Sequence, residues 1–336
     1  MSKVNENNFF LGIYNVYSFY NKKEIKEKWL ESIKCDVGRE IAEAEFLYYE
    51  GKATESYNKL KEIIDRSQKE SNYPALIGAT SLMSRVALVL KDIELWYESV
   101  SLLCSCEKEE PILFEFMLTC VFCSIEYYDY VISFINKNYD IKEEWMPQYN
   151  YLLMSTGNVD IGQKADEIIS TSEEKSTAIL IQAYLIKAIT SLTKSNEKEI
   201  IQYIDNAFEI AAPISFIMPL AEMGNPLSKY YFDERLNKEN IDVKKVRKLK
   251  KKYNEGGAEL CVNSSTPLTI QEFISILLVS FKKTNKQVAK TMNISENTLK
   301  YYLKNAFLKL QITKRSEIKE KLVKFNKIIK MGGREK

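Results

Sequence analysis

The chain has 336 residues, 45% of them hydrophobic, with only 11 Gly and 7 Pro, so it can bury a sizeable helical core as two domains or as one domain plus an array. It has no histidine, which removes Ser-His and Cys-His nucleophile arrangements and the usual zinc-hydrolase ligands; with no glycine-rich phosphate loop either, no enzyme, cofactor or metal centre is expected. The net charge of +2 hides an acidic body of about −9 and a basic end of about +11, since residues 266–336 carry 16 Lys+Arg against 5 Asp+Glu, and this is the footprint of a nucleic-acid-binding end.

The opening segment MSKVNENNFF lacks the basic and apolar regions of an export signal. No stretch approaches 18 uncharged apolar residues, so no membrane span is expected. Six Cys without an export signal read as reduced thiols, and a cytoplasmic protein is expected. The aromatic-rich run FFLGIYNVYSFY (9–20) is expected to cap the core at the first end.

The body then reads as helix after helix. In REIAEAEFLYYEGKATESYNKLKEIIDRS, Ile41, Ala44, Glu45 and Tyr48 share one face of a first helix. Gly51 breaks it, and Tyr57, Leu60, Ile63 and Ile64 share one side of a second. Further breaks fall near Lys91, Glu126, Gly157 and Ser195, at intervals of about 40, 35, 31 and 38 residues. That period is close to the repeat of stacked helix pairs, which bury their apolar faces on their neighbours. The spacings CSC (104–106) and CVFC (120–123) could hold zinc or form a redox switch, but they read better as small buried hydrophobes.

Residues 236–265 are expected to be a basic linker, with a short basic helix at first and a flexible part marked by Gly256-Gly257 and Ser264-Ser265. After Pro267 the punctuation becomes regular. Thr269 with Glu272 and Thr284 with Gln287 make capping boxes, and Ser295 and Thr313 are candidate N-caps. Four helices follow, at about 270–281, 285–292, 296–310 and 314–330, with only NIS between the second and third, which is helix-turn-helix spacing. In the third, Leu299, Tyr302, Leu303, Ala306 and Leu310 face a core. Asn297, Lys300, Tyr301, Lys304 and Leu308 form the opposite stripe, whose charges are all positive.

Two resemblances attach to these residues. The run 268–317 resembles the LuxR/NarL-type DNA-binding domain, through Leu268-Thr269, Glu272, Asn285-Lys286, Val288-Ala289, Ile294-Ser295, Thr298-Leu299-Lys300, Asn305, Lys309-Leu310 and Arg315. It departs from that pattern at Gln271, Phe273, Lys282, Tyr302 and Gln311, where arginines, glycines and a histidine are usual. The body resembles tetratricopeptide-like regulator domains, and AFEIAAPISFIMPLAEMG (207–224) looks like the end of the helical array in MalT-type regulators. Such regulators carry an NTPase module ahead of the array. This chain shows no phosphate loop, so ATP-driven assembly is not expected.

The fold expected is therefore all-α: a tetratricopeptide-like helical superhelix over 1–235, the linker, and a four-helix LuxR-type helix-turn-helix domain over 266–336. By resemblance, Lys300, Tyr301 and Lys304 meet bases or nearby phosphates, and Asn285, Lys286, Thr298, Lys309 and Arg315 hold the DNA backbone. The stripe Ile318, Leu322, Phe325 and Ile329 on the fourth helix pairs two subunits in the resembled family. The function expected is a transcription regulator: the array senses a small molecule, peptide or protein, and the basic end binds promoter DNA as a homodimer, with RNA polymerase as a further partner. The alternatives are a helical-repeat scaffold and a sigma-region-four-like factor, both acting mainly through protein contacts.

Overall fold

Helices in the body end where the sequence supplies a residue able to turn the chain. Gly51 takes φ +72, and Ser71, Lys91, Ser195 and Ser215 all adopt positive φ at helix ends. In the computed structural model, residues 16, 20–124, 128–137, 149, 152, 161–171, 176–192, 195–222, 227, 230, 243–261, 268–280, 283–292 and 294–318 are described. The breaks expected at Gly51, Lys91 and Ser195 are helix ends. Those expected near Glu126 and Gly157 lie outside the described residues.

The described body helices are α1 (Lys26–Glu31), α2 (Asp36–Tyr49), α3 (Ala53–Lys69), α4 (Tyr73–Leu90), α5 (Ile93–Ser105), α6 (Pro111–Ser124), α7 (Tyr128–Ile135), α8 (Ile161–Ser170), α9 (Thr177–Leu192), α10 (Glu197–Ala211), α11 (Met218–Glu222) and α12 (Val243–Cys261). Side-chain caps start several of them: Asn72 accepts from Ala75 N at 3.3 Å, Asp92 from Leu95 N at 3.0 Å and Asn196 from Glu199 N at 3.4 Å. Ile41, Ala44, Glu45 and Tyr48 are all buried, as are Leu60, Ile63 and Ile64, while Tyr57 is half-buried. Glu45 is buried because its carboxylate accepts the Val16 N–H at 3.0 Å.

Sequential helices pack on one another along α2–α6 and α8–α10. The body also closes on itself through contacts between parts far apart in the chain. Tyr49 O accepts the Ile217 N–H at 2.7 Å, and Tyr20 O accepts the Thr177 N–H at 2.9 Å. Tyr20, Trp29, Phe46, Tyr49 and Phe216 form one aromatic cluster across this closure, with ring centroids 4.8–6.0 Å apart. Tyr20 thus closes the core at the first end; most of the run 9–20 lies outside the described residues. The run 207–222 supplies the other side, where Phe208, Phe216, Met218, Leu220 and Ala221 are buried.

At the closure lies a buried ion pair. Arg85, in the second half of α4, donates from Nη2 to both Glu222 oxygens at 2.7 Å and from Nε to Oε1 at 3.2 Å. The Tyr48 hydroxyl donates to the same carboxylate, and the guanidinium lies 4.9 Å from the Tyr48 ring centroid. Burial and the Glu222 charge push the Tyr48 phenol well above its ordinary range. Helix α4 is the one described helix long and apolar enough to cross a membrane; 83% of it is buried inside the protein, and Arg85 is ion-paired within it. It is a core helix.

The expected linker is corrected by α12. Residues 243–261 form a 19-residue helix instead of a flexible stretch, and Gly256-Gly257 lie within it. Val243, Val246, Leu249 and Tyr253 recur along one face and are buried against the body, where α12 meets α4, α5 and α11. That apolar spacing outweighs the helix cost of two glycines, about 1 kcal/mol each. Most lysines of this helix occupy other faces: Lys245 donates to Glu50 O at 3.2 Å, and Lys248, Lys251 and Lys252 are exposed, while Lys250 is buried with the apolar face. Ser264-Ser265 lie outside the described residues.

The cysteines of CSC and CVFC are buried thiols. Burial pushes Cys104 up to about 12 and Cys106 up to about 11, so both stay protonated at neutral pH and behave as packing groups.

Candidate nucleic-acid interface

Three helices of the C-terminal unit follow the capping pattern of the sequence: α13 (Ile270–Ser280), α14 (Asn285–Thr291) and α15 (Glu296–Leu310). Thr269 Oγ1 accepts the Glu272 N–H at 3.2 Å, while the Glu272 carboxylate accepts the Thr269 N–H at 2.7 Å. Thr284 and Gln287 make the same reciprocal pair at 3.3 and 2.8 Å. Ser295, the last residue of NIS, is the N-cap of α15, its Oγ accepting the Thr298 N–H at 3.0 Å. At the next expected start, the Glu317 carboxylate accepts the Thr313 and Lys314 N–H groups at 2.9 and 3.2 Å. It caps the 3-10 turn Arg315–Glu317 in place of the expected Thr313 hydroxyl.

The two faces of α15 separate as the spacing requires. Leu299, Leu303, Ala306 and Leu310 are buried against α13 and α14, and Tyr302 is half-buried. Asn297, Lys300, Tyr301, Lys304 and Leu308 are exposed. Tyr301 and Leu308 keep 62% and 69% of their surface in solvent, beside the lysines of the stripe. Gln311 ends the helix in the left-handed conformation, at φ 54 and ψ 45. The turn that a glycine would make is therefore kept, at a cost of about 1–2 kcal/mol for a residue with a Cβ.

Asn285, Lys286 and Arg315 are brought to one corner. Arg315 donates to Asn285 Oδ1 and to Lys283 O, the latter at 3.4 Å, and the Lys286 side chain is exposed beside Asn285. Thr298 sits in the first turn of α15, its hydroxyl 2.8 Å from that of Ser295. Lys309 lies off the exposed stripe: its ammonium is 2.7 Å from the buried Glu272 carboxylate and 34% exposed. Sequence reasoning missed that pair because it joins helices 37 residues apart. Ile318 is fully buried in its own chain; Leu322, Phe325 and Ile329 lie outside the described residues, as does Lys282.

This geometry is three short capped helices, the third presenting a cationic stripe to solvent, with a second cationic corner beside the turn. Residues 268–321 match the family model GerE, described as bacterial regulatory proteins, luxR family. The C-terminal unit is a LuxR-family helix-turn-helix domain. A LuxR-type domain implies DNA binding and regulation of transcription, a role that is typically non-enzymatic. The match stops short of the body, which is all-helical among its described residues and whose repeat type it leaves open. No curated protein and no solved structure matches the chain.

Proposed function

We propose that this protein is a ligand- or partner-responsive transcription regulator that lays α15 in the major groove of promoter DNA. The observation that carries this reading is the division of α15: one face is fully committed to the core, and the other leaves Lys300, Tyr301 and Lys304 in solvent. Lys300 and Lys304 donate to base edges or phosphates, and Tyr301 packs on a thymine methyl or a sugar. Asn285, Lys286, Thr298, Lys309 and Arg315 hold the backbone and set register. The protein binds as a homodimer through Leu322, Phe325 and Ile329 of the last helix, and Ile318 fixes that helix on its own domain. Two recognition helices then lie about 34–36 Å apart, or a multiple of that, on an inverted repeat.

The acidic body is the signal-receiving part. It takes a small molecule, peptide or protein effector without nucleotide, acts in the cytoplasm, and influences RNA polymerase through the bound promoter. The test is selection of duplexes from a random pool by the full chain, followed by footprinting. An inverted repeat with two protected half-sites is expected. Recovery of no common sequence, with binding that vanishes at moderate salt, would leave only a scaffold with a basic tail.

A further inference from the structure

Among the described residues, contacts through Tyr97, Trp96 and Lys283 join the body to the LuxR-type domain. The Tyr97 hydroxyl of α5 donates to Ser280 at the end of α13, and the Trp96 and Phe273 ring centroids lie 6.4 Å apart. The third involves Lys283. Its side chain is only 6% exposed, its ammonium is 2.8 Å from Glu107 Oε2, and it lies 5.2 Å from the Phe114 ring centroid. Glu107 and Phe114 both belong to the body.

Within its own domain, Lys283 belongs to the cationic corner that faces DNA. It directly precedes Thr284, its carbonyl accepts from Arg315, and Arg315 also holds Asn285. The neighbouring cations Lys286 and Arg315 are exposed. Lys283 thus differs from them in having a piece of the body laid over it. Its nitrogen is buried and makes no well-aligned hydrogen bond, so Glu107 holds it by charge alone. Glu107 itself keeps 45% of its side chain in solvent and stands in the turn CEKEE (106–110), beside Glu109 and Glu110. A lysine ammonium is a point charge that accepts either a carboxylate or a phosphate as partner.

We propose that Lys283 is a further phosphate contact of the LuxR-type domain, occupied here by Glu107, so that docking of the body and binding of DNA compete for one ammonium group. This rests on the reading that the domain binds DNA. The recognition stripe of α15 stays open in the docked arrangement, so the body tunes the strength of backbone anchoring and leaves base reading intact. An effector that shifts α5 or α6 would free Lys283 and raise affinity for all sequences alike.

The experiment measures binding of a fluorescent duplex, both selected and random in sequence, by full-length wild type, Glu107→Gln, Lys283→Gln and the double variant from 50 to 200 mM salt. Glu107→Gln is expected to bind both duplexes more tightly. It should lose about 3.5-fold more affinity than wild type across that range, the effect of one added phosphate contact at a slope near 0.9. Without Lys283 the Glu107 substitution should give no gain, so the double variant should match Lys283→Gln in affinity and slope. A gain from Glu107→Gln that is equally large without Lys283 would mean that Glu107 merely repels DNA, and the proposal would fall. An unchanged affinity and slope for Glu107→Gln, with wild type still preferring the selected duplex to the random one, overturns it while sparing the DNA-binding reading. Absence of DNA binding by all four proteins overturns both. Lys283→Arg, which keeps the charge, should restore the wild-type response if Lys283→Gln folds poorly.

Discussion

Replacing Glu222 by Gln tests whether the closure of the body depends on its buried ion pair. The substitution keeps the shape and one acceptor oxygen but removes the Glu222 charge that faces the Arg85 guanidinium, itself only 9% exposed. Removing one partner of a buried pair costs about 3–5 kcal/mol. The Tyr48 ring, 4.9 Å from the guanidinium, offsets about 0.5–1 kcal/mol of that, and the retained amide oxygen still accepts one hydrogen bond. A net loss of about 3 kcal/mol is expected, which in a body of this size lowers the melting temperature by about 6–12 °C. The assay is thermal unfolding followed by helical circular dichroism at pH 7. The partner variant Arg85→Met/Glu222→Leu removes both charges and should recover most of the loss, because paired burial is close to break-even against apolar packing. A Glu222→Gln shift under 1 °C, or a double variant less stable than the single, would refute the reasoning.

Other positions give further expectations. Gly51→Ala forces a Cβ onto a residue at φ +72 and within 2.5 Å of Leu249 Cδ1, so it should destabilise the body by about 1–2 kcal/mol in urea unfolding; a neutral result would deny that α12 packs on this turn. Burial pushes Lys250 down to about 8, so below that pH the folded body carries a buried charge that the unfolded chain solvates freely. Lys250→Met should therefore stabilise the protein at pH 7, by about 1 kcal/mol after allowing for partial solvent access, and the gain should fade between pH 8 and about 10.5. A gain that grows with pH would have the wrong sign. Leu299→Ala, in the shared core of the domain, should cost about 2–5 kcal/mol and abolish DNA binding by unfolding, whereas Lys304→Ala should leave unfolding unchanged.

The C-terminal helices were legible because their signals are local. Each capping box spans four residues, and the spacing of Leu299, Leu303, Ala306 and Leu310 fixes which side of α15 is buried. The body's first breaks were legible for the same reason, since Gly51 and Lys91 each end a helix within sight of its apolar run. What the sequence hides is long-range pairing. Nothing near Arg85 announces Glu222, and nothing near Lys309 announces Glu272. Residues 243–261 read as a linker because charge and glycine dominate the eye, while Val246, Leu249 and Tyr253 supply a weaker stripe that only the packed body makes visible. Lys283 escaped for a related reason: it reads as one more surface lysine until Glu107 and Phe114 are placed over it.

The most direct test of the central claim compares Lys300→Ala, Lys304→Ala and Lys61→Ala, an exposed lysine on α3, in binding to the selected duplex and to single-base variants of it. Loss of a base-reading contact should cost about 1–3 kcal/mol, roughly 5- to 150-fold in affinity, and relax preference at one position. Lys61→Ala should bind as wild type does. Equal losses for Lys304→Ala and Lys61→Ala, with sequence preference unchanged in both, would contradict the account and make the stripe on α15 ordinary solvated surface.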